Sequence, residues 1–193
     1  MSETKSTFQL TPGAAAPDFS LPDPSGKSHA LTDLKGEKGT LVIFACNHCP
    51  YVIHLAEAIS HLAADLKQQG INTIAISSND VENYPADSPD KMTTFASESG
   101  WDFPYLYDES QEVAQAYAAA CTPDFYLFDD ELKLFYAGQF DSSRPKNEKP
   151  VTGADLRAAT EALLQKQNPP SPTIPSSGCN IKWKPGNEPS YFG

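Results

Sequence analysis

Thr40-Leu41-Val42-Ile43-Phe44-Ala45-Cys46-Asn47-His48-Cys49-Pro50-Tyr51-Val52 is the stretch on which the reading of this chain turns. Thr40 to Ala45 is an unbroken β-branched and aromatic run, which predicts a central strand covered on both faces. From Cys49 the periodicity changes. Val52, Leu55, Ala56, Ile59, Leu62, Ala63 and Leu66 recur at three and four residues and predict an amphipathic helix that Gly70 ends. Cys-x-x-Cys sits at the junction. The first turn of a helix has unpaired N–H groups and the positive end of the dipole, and both favour thiolate over thiol. Two cysteines at this spacing can close a small-ring disulfide and reopen it without moving the fold. Pro50 is tolerated there because first-turn N–H groups have no helical partner.

On the C-terminal side, Ile71 to Ser77 is a second strand, so strand, helix and strand make a right-handed βαβ unit. A loop follows over 79–90, then a helix capped by Asp90 and stopped by Gly100. An extended piece at Phe103–Tyr107 and a small helix over 111–119 come next. Phe125–Phe128 and Leu132–Ala137 form a hairpin about the turn Asp129-Asp130-Glu131, and a last helix runs over 153–167. On the N-terminal side, Phe19–Leu21 and Ser28–Leu31 form a hairpin about a Pro- and Gly-rich turn. The pattern predicts an α/β fold, a central mixed sheet flanked by helices. It also divides the chain into a flexible stretch 1–13, a domain over 14–167, and a proline-rich linker and tail over 168–193. The tail carries Cys179 and Trp183, and a Trp predicts that it docks.

At 193 residues this is one domain with tails. Hydrophobic residues are 39% and charged residues 20%, and Pro (17) exceeds Gly (11), which excludes collagen, coiled coil and full disorder. Lys and Arg total 14 against 25 Asp and Glu, a net charge of −11 that repels phosphate backbones and anionic membranes. We therefore expect no nucleic-acid or membrane partner. No stretch reaches the ~20 apolar residues of a membrane helix, and Met1 to Lys5 has no basic segment leading into an apolar one. The expected location is the cytosol, where four cysteines suggest redox chemistry or metal binding more than a structural disulfide.

The order strand, Cys-x-x-Cys, helix, strand, helix, then Thr122-Pro123 before two hairpin strands and a helix, resembles the thioredoxin superfamily. Ala16-Pro17-Asp18-Phe19-Ser20-Leu21-Pro22-Asp23 resembles the opening of its peroxiredoxin and thiol-reductase branch. With the tail Gly178-Cys179-Asn180-Ile181-Lys182-Trp183-Lys184, the whole is similar to peroxiredoxin-like (redoxin, AhpC/TSA-like) bacterial proteins. The resemblance implies a thiol–disulfide oxidoreductase in which Cys46 attacks, Cys49 resolves, and His48, with Asn47 and Pro50, tunes the pair. Thr122 and a cis Pro123 would face the pair and hold the substrate backbone. The implied substrates are a disulfide-bearing protein or a small thiol or disulfide, with thioredoxin or glutathione as reductant and no cofactor.

A second register competes. Cys49-Pro50 also aligns with the peroxidatic Cys-Pro of peroxiredoxins, which would make hydroperoxide the substrate. There Cys46 stands at the family's Thr position and Val42 at its Pro position. The peroxide-orienting Arg has no counterpart, since Arg144 and Arg157 are the only arginines. The first register departs too, because no acid lies between Thr40 and Ala45. Cys121 and Cys179 are candidates for further redox thiols, and Cys121 also reads as a packed residue. A metal-binding alternative, a copper or zinc module, would gather Cys46, Cys49 and Cys121 with His48. His54, His61 and the Arg144 loop read as surface or packing features.

Overall fold

The computed structural model describes residues 3–192. In chain order the strands are β1 (Thr4–Lys5), β2 (Ser20–Pro22), β3 (Ser28–Ala30), β4 (Gly39–Phe44), β5 (Ile71–Ser77), β6 (Tyr105–Tyr107), β7 (Cys121–Thr122), β8 (Asp124–Asp129), β9 (Leu134–Ala137) and β10 (Ser177–Asn180). The helices are α1 (Leu31–Leu34), α2 (Pro50–Gln68), α3 (Pro89–Ser99), α4 (Glu112–Ala116) and α5 (Ala154–Leu164), with a 3₁₀ turn at Pro85–Asp87.

The central sheet runs β6-β5-β4-β8-β9, with β4, β5 and β6 parallel and β8 and β9 antiparallel to their neighbours. This is the thioredoxin-like α/β arrangement that the sequence predicts. β4 is buried along its whole length. Its side chains alternate: Leu41 and Ile43 enter the layer shared with α2 and α5, and Val42 and Phe44 the layer beneath the β2–β3 hairpin. Tyr117 centres the second layer, with Phe19, Phe44, Tyr126 and Phe128 around its ring. α3 is capped at Ser88 rather than Asp90, because Pro89 at its first position needs no amide partner. Among the described residues, no helix is long and apolar enough to cross a membrane.

Of the stretch 1–13 expected to be flexible, Met1 and Ser2 lie outside the described residues, and residues 3–13 differ from that expectation. Thr4–Lys5 pair with Gly178 and Ser177 of β10, and the Gly13 amide donates to the Leu134 carbonyl at 2.7 Å. Two residues of strand carry no readable periodicity, so pairing alone orders them. β10 in turn pairs with β7, giving a second small sheet β1-β10-β7. Beyond it the tail docks by backbone and side chain together. Lys182 N–H donates to Asn79 Oδ1 at 2.9 Å, the Gln111 amide donates to the Lys182 carbonyl at 2.9 Å, and Ile181 and Trp183 enter the second apolar layer. Trp183→Ala is expected to cost about 3–5 kcal/mol, read as a lowered urea midpoint. A loss below about 1 kcal/mol would mean that the tail adds little to the fold.

Candidate active site around Cys46 and Cys49

The chain leaves the carboxyl end of β4 through Ala45 and turns into α2, with Cys49 as the N-cap and Pro50 at the first helical position. Facing this turn is Thr122, joined to Pro123 by a cis peptide bond. Thr122 touches both sulfurs. Its hydroxyl lies 3.5 Å from Cys46 Sγ, and its carbonyl accepts from Cys49 Sγ at 3.1 Å. Both cysteines are free thiols and wholly buried. The four elements that the sequence points to, Cys46, Cys49, Thr122 and Pro123, are thus brought together.

The two thiols are not equivalent. Cys46 donates to Cys49, and Thr122, Cys179 and the Val52 amide also favour charge on Cys49; together they outweigh burial and lower its thiol to about 5. Cys46 is pushed well above the usual thiol range by giving its proton to that bond, by burial and by the charge of Asp87. In the neutral pair the Cys49 S–H donates to the Thr122 carbonyl, and of the two sulfurs Cys49 is the one on which negative charge is favoured.

Asp87 is the residue that sequence reasoning missed. It is wholly buried and accepts four hydrogen bonds: from Asn47 N–H (2.8 Å), His48 N–H (3.2 Å), His48 Nδ1 (2.6 Å) and the Asn79 amide (2.8 Å). Asn47 is further fixed by its amide donation to the Ala86 carbonyl and by the Tyr105 hydroxyl, which donates to Asn47 Oδ1 at 2.9 Å. His48 stacks in parallel on Tyr84. The one available signal was topological: parallel neighbours β4 and β5 end at the same edge, so the loops that follow them meet.

Among the described residues, one trio of ligand-type atoms lies within 4.8 Å of one another: Cys46, His48 and Asp87. The 2.6 Å contact between His48 and Asp87 is a hydrogen bond. Ligands about 2.0–2.2 Å from one tetrahedral ion stand well over 3 Å apart, so this trio does not have the spacing of a zinc site. Cys121, the expected third ligand, gives its proton to the Pro123 carbonyl at 3.6 Å. Burial and then the charge of Asp124 push its thiol well up, which makes it a packed, protonated side chain.

The remaining candidates sort by contact. Cys179 lies within hydrogen-bonding reach of Cys49, and burial first, then that contact, push its thiol up to about 12. Arg144 does approach Pro123, beside Tyr51 and His54. Its guanidinium is occupied, however, by the carbonyls of Asp141 and Ser143 (2.8 and 2.7 Å) and by Gln139 Oε1 (2.7 Å).

Asp124 follows Pro123 and is fully buried, taking bonds from Ser6 and from the Tyr126 hydroxyl at 3.1 Å. Burial raises its carboxyl from 3.8 to about 6. A carboxyl raised on folding binds its proton more tightly in the folded state. Its stabilising contribution is present below pH about 4 and is lost as pH rises through 6, about 3 kcal/mol in all. The stability difference between wild type and Asp124→Asn should therefore shift toward the variant by about that amount from pH 4 to 7. A difference that stays constant with pH would show that Asp124 does not titrate in this window.

Comparison with known proteins adds the following. The model of the AhpC/TSA family matches residues 12–137. The crystal structure of an uncharacterized conserved protein from Geobacillus kaustophilus is similar with a TM-score of 0.93 and 49% identity, over 96% of this chain and 98% of that one. The thiol-disulfide oxidoreductase ResA of Geobacillus thermodenitrificans is 30% identical over 122 residues, 63% of this chain and 66% of ResA. Peroxiredoxin Bcp of Escherichia coli K12 is 29% identical over 108 residues, 56% of this chain and 64% of Bcp. Relatives named for disulfide exchange and for peroxide chemistry thus both lie within reach of this chain.

Proposed function

This chain belongs to the AhpC/TSA family, and from that membership we propose that it is a cytosolic thiol–disulfide oxidoreductase cycling Cys46 and Cys49 between dithiol and disulfide. The observation that carries the reading is the seating of both sulfurs on Thr122 beside the cis peptide bond. In the reducing direction the Cys49 thiolate attacks one sulfur of a substrate disulfide and expels the other as thiolate. Cys46 then attacks the Cys49 sulfur, and its proton passes to the departing thiolate. Reduced substrate leaves and the Cys46–Cys49 disulfide remains, so two electrons have moved. A thiol reductant such as thioredoxin or glutathione restores the dithiol. The expectation from resemblance gave the first attack to Cys46. The hydrogen bond to Cys49, burial and the charge of Asp87, which all raise the Cys46 thiol, favour the opposite order.

One observation favours the second reading, a thiol peroxidase. Cys49 combines a thiolate at a helix N-cap with a hydrogen-bond donor at Cys46, where the peroxidase pattern has Thr. Against it, the peroxide-orienting Arg has no counterpart, and Arg144 gives three of its N–H groups to Asp141, Ser143 and Gln139. The test measures two rates under a defined thiol reductant: reduction of glutathione disulfide, and consumption of hydroperoxide, with intact mass after each. Disulfide turnover with loss of two hydrogens at Cys46–Cys49 is expected. Faster hydroperoxide turnover with a sulfenic acid on Cys49 would make the protein a peroxidase instead.

A further inference from the structure

β10 occupies the edge of β7 on which the active-site contacts depend. Cys179 is the register partner of Thr122, and Asn180 that of Cys121. The approach is close enough to require glycine at 178, since a Cβ there would stand 1.9 Å from the Thr122 carbonyl oxygen. Thr122 thus carries three cysteines at once. Its hydroxyl meets Cys46, its carbonyl meets Cys49, and its backbone partner across the small sheet is Cys179. Cys46, Cys49 and Cys179 also pack in one buried cluster. All three are buried, so β10 covers the pair as a substrate strand laid on Thr122 would.

We propose that Cys179 is a third redox thiol, and that Cys49 passes its disulfide bond from Cys46 to Cys179. This rests on the Cys46–Cys49 cycle proposed above. The step is an internal exchange. The Cys179 sulfur attacks the Cys49 sulfur of the Cys46–Cys49 disulfide, a Cys49–Cys179 bond forms, and the Cys46–Cys49 bond breaks. The proton of Cys179 goes to the departing Cys46 sulfur. No electrons are gained or lost, so no outside oxidant or reductant is needed. The product ties β10 covalently to the head of α2. A reductant then regenerates the dithiol by attack at the tail cysteine.

The sequence makes the test direct. Trypsin leaves Cys46 and Cys49 on one peptide, residues 39–67, and Cys179 on another, residues 167–182. Full-length protein is oxidised with equimolar diamide, blocked with N-ethylmaleimide and mapped without reduction. Cys46→Ala is expected to lose two hydrogens and to join the two peptides in the bulk of the chains. Cys179→Ala is expected to form the Cys46–Cys49 bond within one peptide. Gly178→Val, which pushes β10 off Thr122, should keep that internal bond and lose the joined peptides. Far-UV circular dichroism on each variant, with Cys46→Ser as a second version of the first, separates loss of fold from loss of exchange. Folded Cys46→Ala and Cys46→Ser with Cys49 and Cys179 both still open to N-ethylmaleimide would overturn the proposal. So would joined peptides undiminished in Gly178→Val. A Cys179→Ala protein that forms no internal bond would instead overturn the Cys46–Cys49 cycle, whatever Cys179 does.

Discussion

Cys49→Ser is expected to abolish disulfide exchange, with kcat/KM lower by about 10³-fold or more, whereas Cys46→Ser still makes the first attack and stalls. The reasoning begins from the charge on the pair. A thiol at about 5 is fully ionised at neutral pH, and only the thiolate is a nucleophile. Removing it takes away about 4 kcal/mol or more of transition-state stabilisation. Removing Cys46 leaves the nucleophile and deletes the group that releases it, so a mixed disulfide with substrate should accumulate on Cys49 and be seen by intact mass. The pH dependence has a definite sign. Alkylation of wild type by iodoacetamide should rise through pH about 5 and be flat near 7. In Cys46→Ala the midpoint should move up, because the S–H that most favours the thiolate is gone, while Cys46→Ser keeps a donor. Substrate trapped on Cys46 in Cys49→Ser, with none on Cys49 in Cys46→Ser, would restore the order that resemblance suggests.

Local patterns were enough for the parts of this site that lie within one element and its neighbour. Thr40 to Gly70 reads as strand, turn and helix because hydrophobic spacing changes at the cysteines. Thr122-Pro123 stands out through its resemblance to the thioredoxin loop, set just before the aromatic run Phe125-Tyr126-Leu127-Phe128. The docking of the tail was legible from one Trp. What was not legible depends on pairing between distant segments. Asp87 lies in a loop with no periodicity, and nothing near it in sequence says that its carboxylate collects amides from Asn47 and His48. Asp124 stood in plain view after Pro123. Its burial, and so its raised carboxyl, is a product of the folded chain, and its partner Ser6 comes from the distant N-terminal stretch. The place of Cys179 depends on the path of a proline-rich linker, and only the Cys179–Thr122 register fixes it.

Asp87 gives the second large effect, on both the fold and the redox couple. Its carboxylate accepts from four donors, two of them backbone amides of the Cys-x-x-Cys turn. Asp87→Ala leaves them without that buried partner and is expected to cost about 3–5 kcal/mol. Asp87→Asn keeps the shape and one acceptor oxygen, so it should fold at a smaller cost and serves as the redox probe. The negative charge of Asp87 helps keep Cys46 protonated, so the wild-type reduced pair lacks the forms in which Cys46 carries charge and is disfavoured relative to the uncharged disulfide. Removing it should therefore make the couple more oxidising, by some tens of millivolts at about 30 mV for each 1.4 kcal/mol. Equilibration of wild type and Asp87→Asn with glutathione buffers at pH 7 measures this shift, and an unchanged or lower potential would refute it. The gap should also narrow on acidification. Below pH about 5 the Cys49 thiolate is protonated, and the reduced pair then carries no charge on which Asp87 can act.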